Sequence, residues 1–178
     1  MRYYDTNMTV LEVWRLVQRL YGVHVAKAFG ISEADLKLVA EARPITLDEW
    51  SKIASPLVRP RRGLLYALHL DLEDRIYGYI AETRTYFAGP ELSEACLRFN
   101  SYMLRQWHDA IVAGADLARL ELADEDIQAL RWGASQGFSD WGSLPLAIAV
   151  PRDQLIRALA EKNEGTLYAL IGPWRTAQ

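Results

Sequence analysis

The residues of this chain best suited to hold phosphate are basic side chains in its first third. Lysine and arginine contact the phosphates of nucleic acids, and such contacts supply most of the affinity that does not depend on base sequence. Residues 1–62 contain ten Lys or Arg and seven Asp or Glu, a net charge of +3, whereas residues 63–178 contain ten and sixteen, a net charge of −6. A basic N-terminal part followed by an acidic C-terminal part favours an anionic partner for the N-terminal part. The basic candidates are Lys27, Lys37, Arg43, Lys52, Arg59, Arg61 and Arg62.

Residues 22–41 have the spacing of two helices joined by a tight turn. A small residue lies four positions before a glycine, which lets the helices approach closely, and glycine tolerates the left-handed backbone of such a turn. An apolar residue follows the glycine, and two more lie three apart on the inner face of the second helix. This pattern is typical of a helix-turn-helix. The residues that define it are Ala26, Gly30, Ile31, Leu36 and Val39.

Residues 8–58 resemble the helix-turn-helix domains of Cro and the phage repressors, with a preceding helix and a following helix that begins at Thr46. The resemblance implies that the helix beginning at Ser32 enters the major groove of double-stranded DNA. It also implies a homodimer, because half-site recognition needs two reading helices. Glu33 and Glu41 on the outward face depart from the family, since they would meet phosphate repulsion. The predicted DNA-binding residues are Lys27, Ser32, Glu33, Ala34, Lys37, Leu38, Arg43, Arg59, Arg61 and Arg62.

Gly and Pro punctuation predicts a mainly α fold with at most a small two-stranded β element near the C-terminus. Candidate strands are the apolar runs 144–150 and 166–171, and no repeat is detected. Three parts are expected: a helix-turn-helix module at 1–58, a basic Pro/Arg linker at 59–63 and an acidic helical lobe at 64–178. The lobe would dimerise or receive a signal, which gives a DNA-binding transcriptional regulator or phage-type repressor.

Two other functions compete with this interpretation. The acidic lobe and the glutamates of the reading helix favour a protein-interaction module, such as an antitoxin, an inhibitor or an adaptor. The His108-Asp109 pair is similar to the ligand pair of helical HD phosphohydrolases, which would make a metal-dependent hydrolase, although the flanking residues differ. No cofactor or nucleotide motif is present, so neither a cofactor nor a metal is predicted. The single cysteine, Cys96, is expected in a helix core.

The sequence also predicts where the chain resides. The longest clean apolar run is far shorter than the roughly 20 residues of a transmembrane helix. The N-terminus lacks the apolar segment of a signal peptide. We therefore expect a cytoplasmic protein that makes no membrane contact.

Overall fold

The computed structural model describes residues 3–22, 29–41, 49–53, 55–81, 89–133, 139–142, 144 and 146–171. Within these residues the chain forms helices α1 (Tyr3–Tyr21), α2 (Glu33–Glu41), α3 (Leu64–His69), α4 (Glu73–Ala81), α5 (Gly89–Val112), α6 (Asp124–Gly133), α7 (Ser139–Gly142), α8 (Asp153–Ala160) and α9 (Glu164–Ile171), a 3-10 turn (Leu117–Leu120), and strands β1 (Val58–Pro60) and β2 (Ala149–Pro151). None of these helices combines the length and the apolar character needed to cross a bilayer.

The mainly helical fold with one small sheet confirms the predicted fold class. β1 and β2 pair antiparallel, with Arg59 opposite Val150 and Pro60 opposite Ala149. Each strand ends at a proline, Pro60 or Pro151, whose missing N–H cannot extend the ladder. The sheet is therefore a short two-stranded ribbon, and its strands come from the first and the last third of the chain.

One continuous hydrophobic core runs through both predicted modules. Trp14 of α1, Leu104 of α5 and Ile156 of α8 all belong to it. Residues 59–63, predicted as a linker, lie in β1 and in the turn that leads to α3, and Gly63 is buried. This segment is thus part of the folded body, because its strand pairs with β2.

The hydrogen bonds around the ribbon occur twice, at positions with equal spacing along the chain. The backbone N–H of Arg61 donates to the Ile148 carbonyl at 2.8 Å, and the N–H of Arg152 donates to the Leu57 carbonyl at 2.8 Å. The spacing from Arg61 to Arg152 equals the spacing from Leu57 to Ile148. The two hydrogen bonds therefore join equivalent positions, with the donor and the acceptor segment exchanged.

A buried asparagine fixes the backbone before each strand. Asn7 of α1 donates through Nδ2 to the Ser55 carbonyl at 2.8 Å and accepts from the Leu57 N–H at 2.9 Å. Asn100 of α5 makes the same two bonds, both 2.9 Å, to the backbone before β2. In both helices a leucine follows after four residues and a tryptophan after seven, and these are Leu11, Trp14, Leu104 and Trp107, all buried.

The correspondence continues in the helices that follow each strand. Asp71 and Lys162 end α3 and α8 with left-handed backbone, at φ 51° and 53°. Tyr77 and Tyr168 occupy equivalent exposed positions on α4 and α9. Each of these pairs has the same spacing as Arg61 and Arg152.

The chain is therefore an internal duplication, which corrects the expectation that no repeat is present. Its first half comprises the described residues of 3–81 and its second half those of 89–171. An approximate two-fold axis relates the halves and passes through the ribbon between Arg59 and Val150, because that pair is the centre of the antiparallel register.

Each half places one helix against the other half. α3 packs on α6, and α8 packs on α2. Buried Asp126 of α6 accepts hydrogen bonds from the N–H groups of Gly63 (2.7 Å) and Tyr66 (3.0 Å) at the start of α3. Asp35 of α2 pairs with Arg157 of α8 at 3.2 Å. The halves are consequently interlocked and form one body.

Candidate functional site

The ribbon turns the middle residue of each strand outward. The first and last residues of both strands are buried, whereas Arg59 is exposed and Val150 is partly exposed. This follows from the alternation of side chains between the two faces of a strand. The outer face therefore combines a guanidinium and an apolar side chain, close to the two-fold axis.

A cleft of about 560 Å³ lies on one side of the ribbon, and we call it the first cleft. Three guanidinium groups and one carboxylate contribute to its lining, so its charge is positive on balance. Planar guanidinium groups suit phosphate oxygens, which accept two parallel hydrogen bonds from them. The polar side chains in its lining are Ser32, Arg59, Arg61, Arg62, Tyr79 and Asp153.

Backbone contacts fix the geometry of the first cleft. The Nε of Arg61 donates to the Ala147 carbonyl at 2.6 Å, which ties this side chain to the other half. The Tyr79 hydroxyl donates to the Arg62 carbonyl at 2.6 Å and so joins α4 to the turn after β1. The side chains of Arg59 and Arg62 are exposed to solvent. Arg61 is therefore held in place by its backbone contact, whereas Arg59 and Arg62 are exposed and can contact a ligand.

Gly30 forms part of the cleft wall and has the left-handed backbone that the predicted turn requires, with φ 65°. A Cβ at this position would lie 2.8 Å from Val150 Cγ1 and 3.0 Å from Arg61 Nη2. Both the backbone angle and the close approach need glycine here. A side chain at this position would displace Val150 or Arg61, which line the same cleft.

A second cleft, of about 330 Å³, lies on the other side of the ribbon. It includes Glu121, Arg152 and Asp153, which are the equivalents of Gly30, Arg61 and Arg62 by chain spacing. Arg59 also contributes to it. The two clefts are thus related by the internal duplication, but the second has acids where the first has a glycine and an arginine.

The charges of the second cleft act largely on one another. Arg152 Nε lies 3.8 Å from Glu121 Oε1, and only 13% of the Arg152 side chain is exposed. Burial lowers the pKa of Arg152, with Glu121 opposing this effect. Burial, followed by the nearby Asp35 charge, raises the pKa of Asp153. This cleft therefore offers an approaching anion little net positive charge.

Four predicted DNA-binding residues come together in the first cleft, which also contains two of the predicted turn residues. The four are Ser32, Arg59, Arg61 and Arg62, and the two are Gly30 and Ile31. Leu36 and Val39 are buried, as the inner face of α2 requires. Five residues lie on the exposed side of α2, away from the cleft lining: Glu33, Ala34, Lys37, Leu38 and Glu41. Three predicted residues, Ala26, Lys27 and Arg43, lie outside the described part of the chain.

α2 is held within the body of the protein. Ser32 Oγ accepts from the Asp35 N–H at 3.1 Å and donates to the Asp35 carboxylate at 2.6 Å, so it caps the helix. Asp35 is fully buried and also pairs with Arg157 of α8. α2 packs on both α1 and α8. Its exposed side has two glutamates and one lysine, Lys37, which disfavours close approach to phosphates.

Several site residues were missed by the sequence reasoning. Tyr79, Val150 and Asp153 enter the first cleft from the other strand and from helices distant in the chain. A signal exists in the sequence: Val-Arg-Pro-Arg-Arg at 58–62 aligns with Ala-Val-Pro-Arg-Asp at 149–153. That match would have placed the second strand and its neighbours beside the predicted arginines.

The other chemical candidates do not form a site in the described residues. The His108 Nδ1 lies 3.3 Å from the adjacent Asp109 carboxylate, and no cluster of three or more metal-ligating side chains occurs among the residues described. Cys96 is fully buried, and burial raises the pKa of its thiol to about 12. The expected core position of Cys96 is confirmed.

Comparison with known proteins identifies no relative: no family model, no curated protein and no solved structure matches this chain.

Proposed function

We propose that this chain binds double-stranded DNA through the ribbon and the first cleft, and that it acts in the cytoplasm as a transcriptional regulator. The observation that carries the proposal is the convergence of Arg59, Arg61 and Arg62 beside a two-stranded ribbon. They lie within five residues of the chain, and β1 and its turn hold them in one place. A cationic face built on a rigid element suits a polyanion better than a small metabolite.

The dimensions of the ribbon support duplex DNA as the polyanion. The major groove of B-DNA is about 12 Å wide and admits a two-stranded β-ribbon, whose strands are about 4.8 Å apart. Arg59 stands at the centre of the outer face, where a guanidinium can bind the O6 and N7 of guanine. Val150 beside it suits the methyl group of thymine. The central pair thus offers one polar and one apolar contact to base edges.

The first cleft adds contacts to the DNA backbone. Arg62 is exposed and Arg61 is anchored, so together they provide a mobile and a fixed guanidinium. Phosphate contacts position a protein on the duplex, and base contacts in the groove specify the sequence. In this proposal the arginines after β1 position the chain, and Arg59 reads the groove.

The ribbon is a better candidate for the reading element than α2, the helix that the resemblance to Cro and phage repressors indicates. Glu33 and Glu41 face solvent on α2, whereas Arg59 is the charged residue on the outer face of the ribbon. α2 would contribute through Ser32, which lines the first cleft. We therefore propose that DNA contacts β1 and β2, and not the exposed side of α2.

Charge reversal at the exposed arginines tests the proposal. Fluorescence anisotropy would compare the wild-type chain with Arg59→Glu/Arg62→Glu on labelled duplexes of random and genomic sequence, at low salt. We expect the variant to lose at least tenfold in affinity. Arg105→Glu/Arg131→Glu is the matched control, because both residues are exposed, neither lines a cleft, and the net charge changes equally.

In a parallel titration at about 0.1 M salt, where charge effects are screened beyond about 10 Å, the control variant should retain affinity within about threefold. Equal losses in the two variants would show binding by net charge alone and would refute the ribbon site. Absence of wild-type binding at low salt would refute DNA binding itself.

A second candidate function, a protein-interaction module, is favoured by α9. Five of its eight residues are apolar or tyrosine, those of Leu167–Ile171, yet none of its residues is buried. A helix that is apolar on most sides normally packs against a partner. Leu167, Leu170 and Ile171 already pack partly on the core, so in this alternative a second copy of the chain would cover the side that presents Tyr168 and Ala169. Sedimentation velocity on Tyr168→Glu, with its equivalent Tyr77→Glu as control, tests this: a wild-type dimer lost in the first variant alone supports the interface, and a wild-type monomer rejects it.

A further inference from the structure

The two-fold axis of the chain coincides with the ribbon, and this bears on how many chains bind one DNA site. DNA-binding proteins commonly reach two-fold symmetry by forming homodimers, whose axis matches that of the duplex site. Here both strands of the ribbon, and both clefts, come from one chain. The internal duplication supplies the symmetry that the predicted homodimer would otherwise provide.

The two clefts have diverged at the positions that face a ligand. Gly30 corresponds to Glu121, and Arg62 corresponds to Asp153. The arginine common to both, Arg61 or Arg152, is retained. In the second cleft it is near Glu121, and its Nη1 also donates to the Pro56 carbonyl at 3.2 Å. The clefts therefore share the ribbon and one arginine. They differ in charge, and in backbone at the start of the following helix, where Gly63 is left-handed with φ 77° and its counterpart Gln154 lies within α8.

The central pair of the ribbon is broken in the same direction. Arg59 belongs to the first half, and its partner across the axis is Val150. Each of three equivalent pairs is thus more basic, or less acidic, on the side of the first half: Gly30 against Glu121, Arg59 against Val150, and Arg62 against Asp153. Divergence in one direction at all three positions indicates two halves with different tasks.

We infer, on the basis of the proposed function, that one chain binds one duplex site as a monomer, and that only the first cleft holds phosphate. The ligand class is double-stranded DNA with an asymmetric site, and the protein contacts the phosphates of only one half of that site. The second cleft faces the other half and disfavours phosphate, because it contains Glu121 and because Asp153, which lines both clefts, is not offset there by Arg61 and Arg62. The chain thus has the approximate two-fold symmetry of a dimer, but its positive charge is concentrated in one of the two clefts.

Restoring the residues of the first half in the second cleft tests this inference. The background variant is Arg62→Glu, which alters the first cleft alone, since Arg62 does not line the second. Glu121→Gly is then added, because Glu121 lines only the second of the two clefts whereas Asp153 lines both, and Glu94→Gln on α5 is the control of equal charge change. Glycine fits position 121, whose backbone is left-handed with φ 54°.

Elution from immobilised heparin is the first readout, because it reports anion binding whether or not DNA is the natural ligand. We expect the restored second cleft to elute at higher salt than the control and to bind duplex DNA at least fivefold more tightly than the control. Equal elution and equal affinity in the two variants would overturn the inference about the second cleft.

Stoichiometry is the second readout. Sedimentation of the wild-type chain with a labelled duplex should give one chain per duplex, and two chains per duplex would overturn monomeric binding. The outcomes separate the two proposals. A heparin shift without wild-type duplex binding supports the unequal clefts and rejects DNA as the ligand, whereas duplex binding without the shift keeps the proposed function and rejects the inference.

Discussion

Removing the buried asparagine of either half should destabilise the fold by a similar and large amount. Asn7 is fully buried and bonds the backbone before β1 on both sides of its amide. Asn7→Ala leaves the Ser55 carbonyl and the Leu57 N–H without this partner. An unsatisfied buried polar group costs about 1–3 kcal/mol, so the two groups together predict a loss of about 2–6 kcal/mol.

Asn100 provides the internal comparison, because it makes the same two bonds with the backbone before β2. We expect Asn100→Ala to lower the free energy of unfolding within the same range. Domains of this size are stable by about 5–15 kcal/mol, so either change removes a substantial share of the total.

The assay is urea unfolding followed by tryptophan fluorescence, with the loss obtained from the shift in midpoint at constant m. Asn7→Leu separates hydrogen bonding from cavity formation, since leucine fills the space without bonding the backbone. It should lose nearly as much as Asn7→Ala. Glu12→Ala on the exposed side of α1 should change stability by less than about 0.5 kcal/mol. A loss below about 1 kcal/mol at either asparagine, or recovery in Asn7→Leu, would refute the reasoning.

Three further predictions concern stability and reactivity. Cys96 should react with a thiol reagent at pH 8 only as fast as the chain unfolds, because its side chain is buried. A pKa of about 12 also leaves only about one thiol in ten thousand as the reactive thiolate at that pH. Reaction of the native protein within seconds would contradict the burial of Cys96. Lys162→Gly should raise the free energy of unfolding by about 1 kcal/mol, because glycine relieves the left-handed strain at φ 53°, whereas Glu161→Gly, at φ −82°, should lower it. Burial raises the folded-state pKa of Asp126, opposed by the N–H groups of Gly63 and Tyr66. The stability that the Asp126 carboxyl contributes is therefore greatest below its unfolded pKa of 3.8 and is lost as the pH rises through the raised folded-state pKa. In urea melts, the free energy of unfolding of wild type minus that of Asp126→Asn should fall over this pH range. A difference that rises with pH would show that folding lowers the pKa of Asp126.

The helices were predictable where glycine and proline mark their ends. Gly89-Pro90 and Gly114 predict a long helix between them, and α5 runs from Gly89 to Val112, with Gly114 beyond it left-handed at φ 73°. Proline suits the first position of a helix, so Pro151 predicts a helix that begins there, and α8 begins at Asp153. Residues 166–171, one of the two candidate strands, belong to α9, because a short apolar run has the same pattern in a surface helix as in a strand.

β1 was not predictable from its own residues. It has three residues, ends in proline and lies in a stretch that resembles a linker. Its stability comes from β2, from the Asn7 hydrogen bonds and from the Arg61 N–H, all of which involve residues far away in the chain. Strand propensity depends strongly on such tertiary context.

The duplication escaped detection because identical residues are sparse and their spacing changes. Asn7 and Asn100 are two residues further apart than Leu57 and Ile148, so the halves differ in length between these positions. The candidate site was predictable in its arginines, which charge indicates, and in Gly30, Ile31 and Ser32, which the helix-turn-helix spacing indicates. The cleft requires the pairing of β1 with β2, which places Val150 and Asp153 beside them.

The salt dependence of duplex binding tests the central claim most directly. Each phosphate neutralised contributes about −0.9 to the slope of log K against log salt concentration, so contacts by Arg61 and Arg62 predict a slope of about −2. Arg62→Ala should reduce the magnitude of that slope by about 1, and Arg131→Ala should leave it unchanged. A slope near zero, or one that Arg62→Ala and Arg131→Ala alter equally, would contradict phosphate binding in the first cleft.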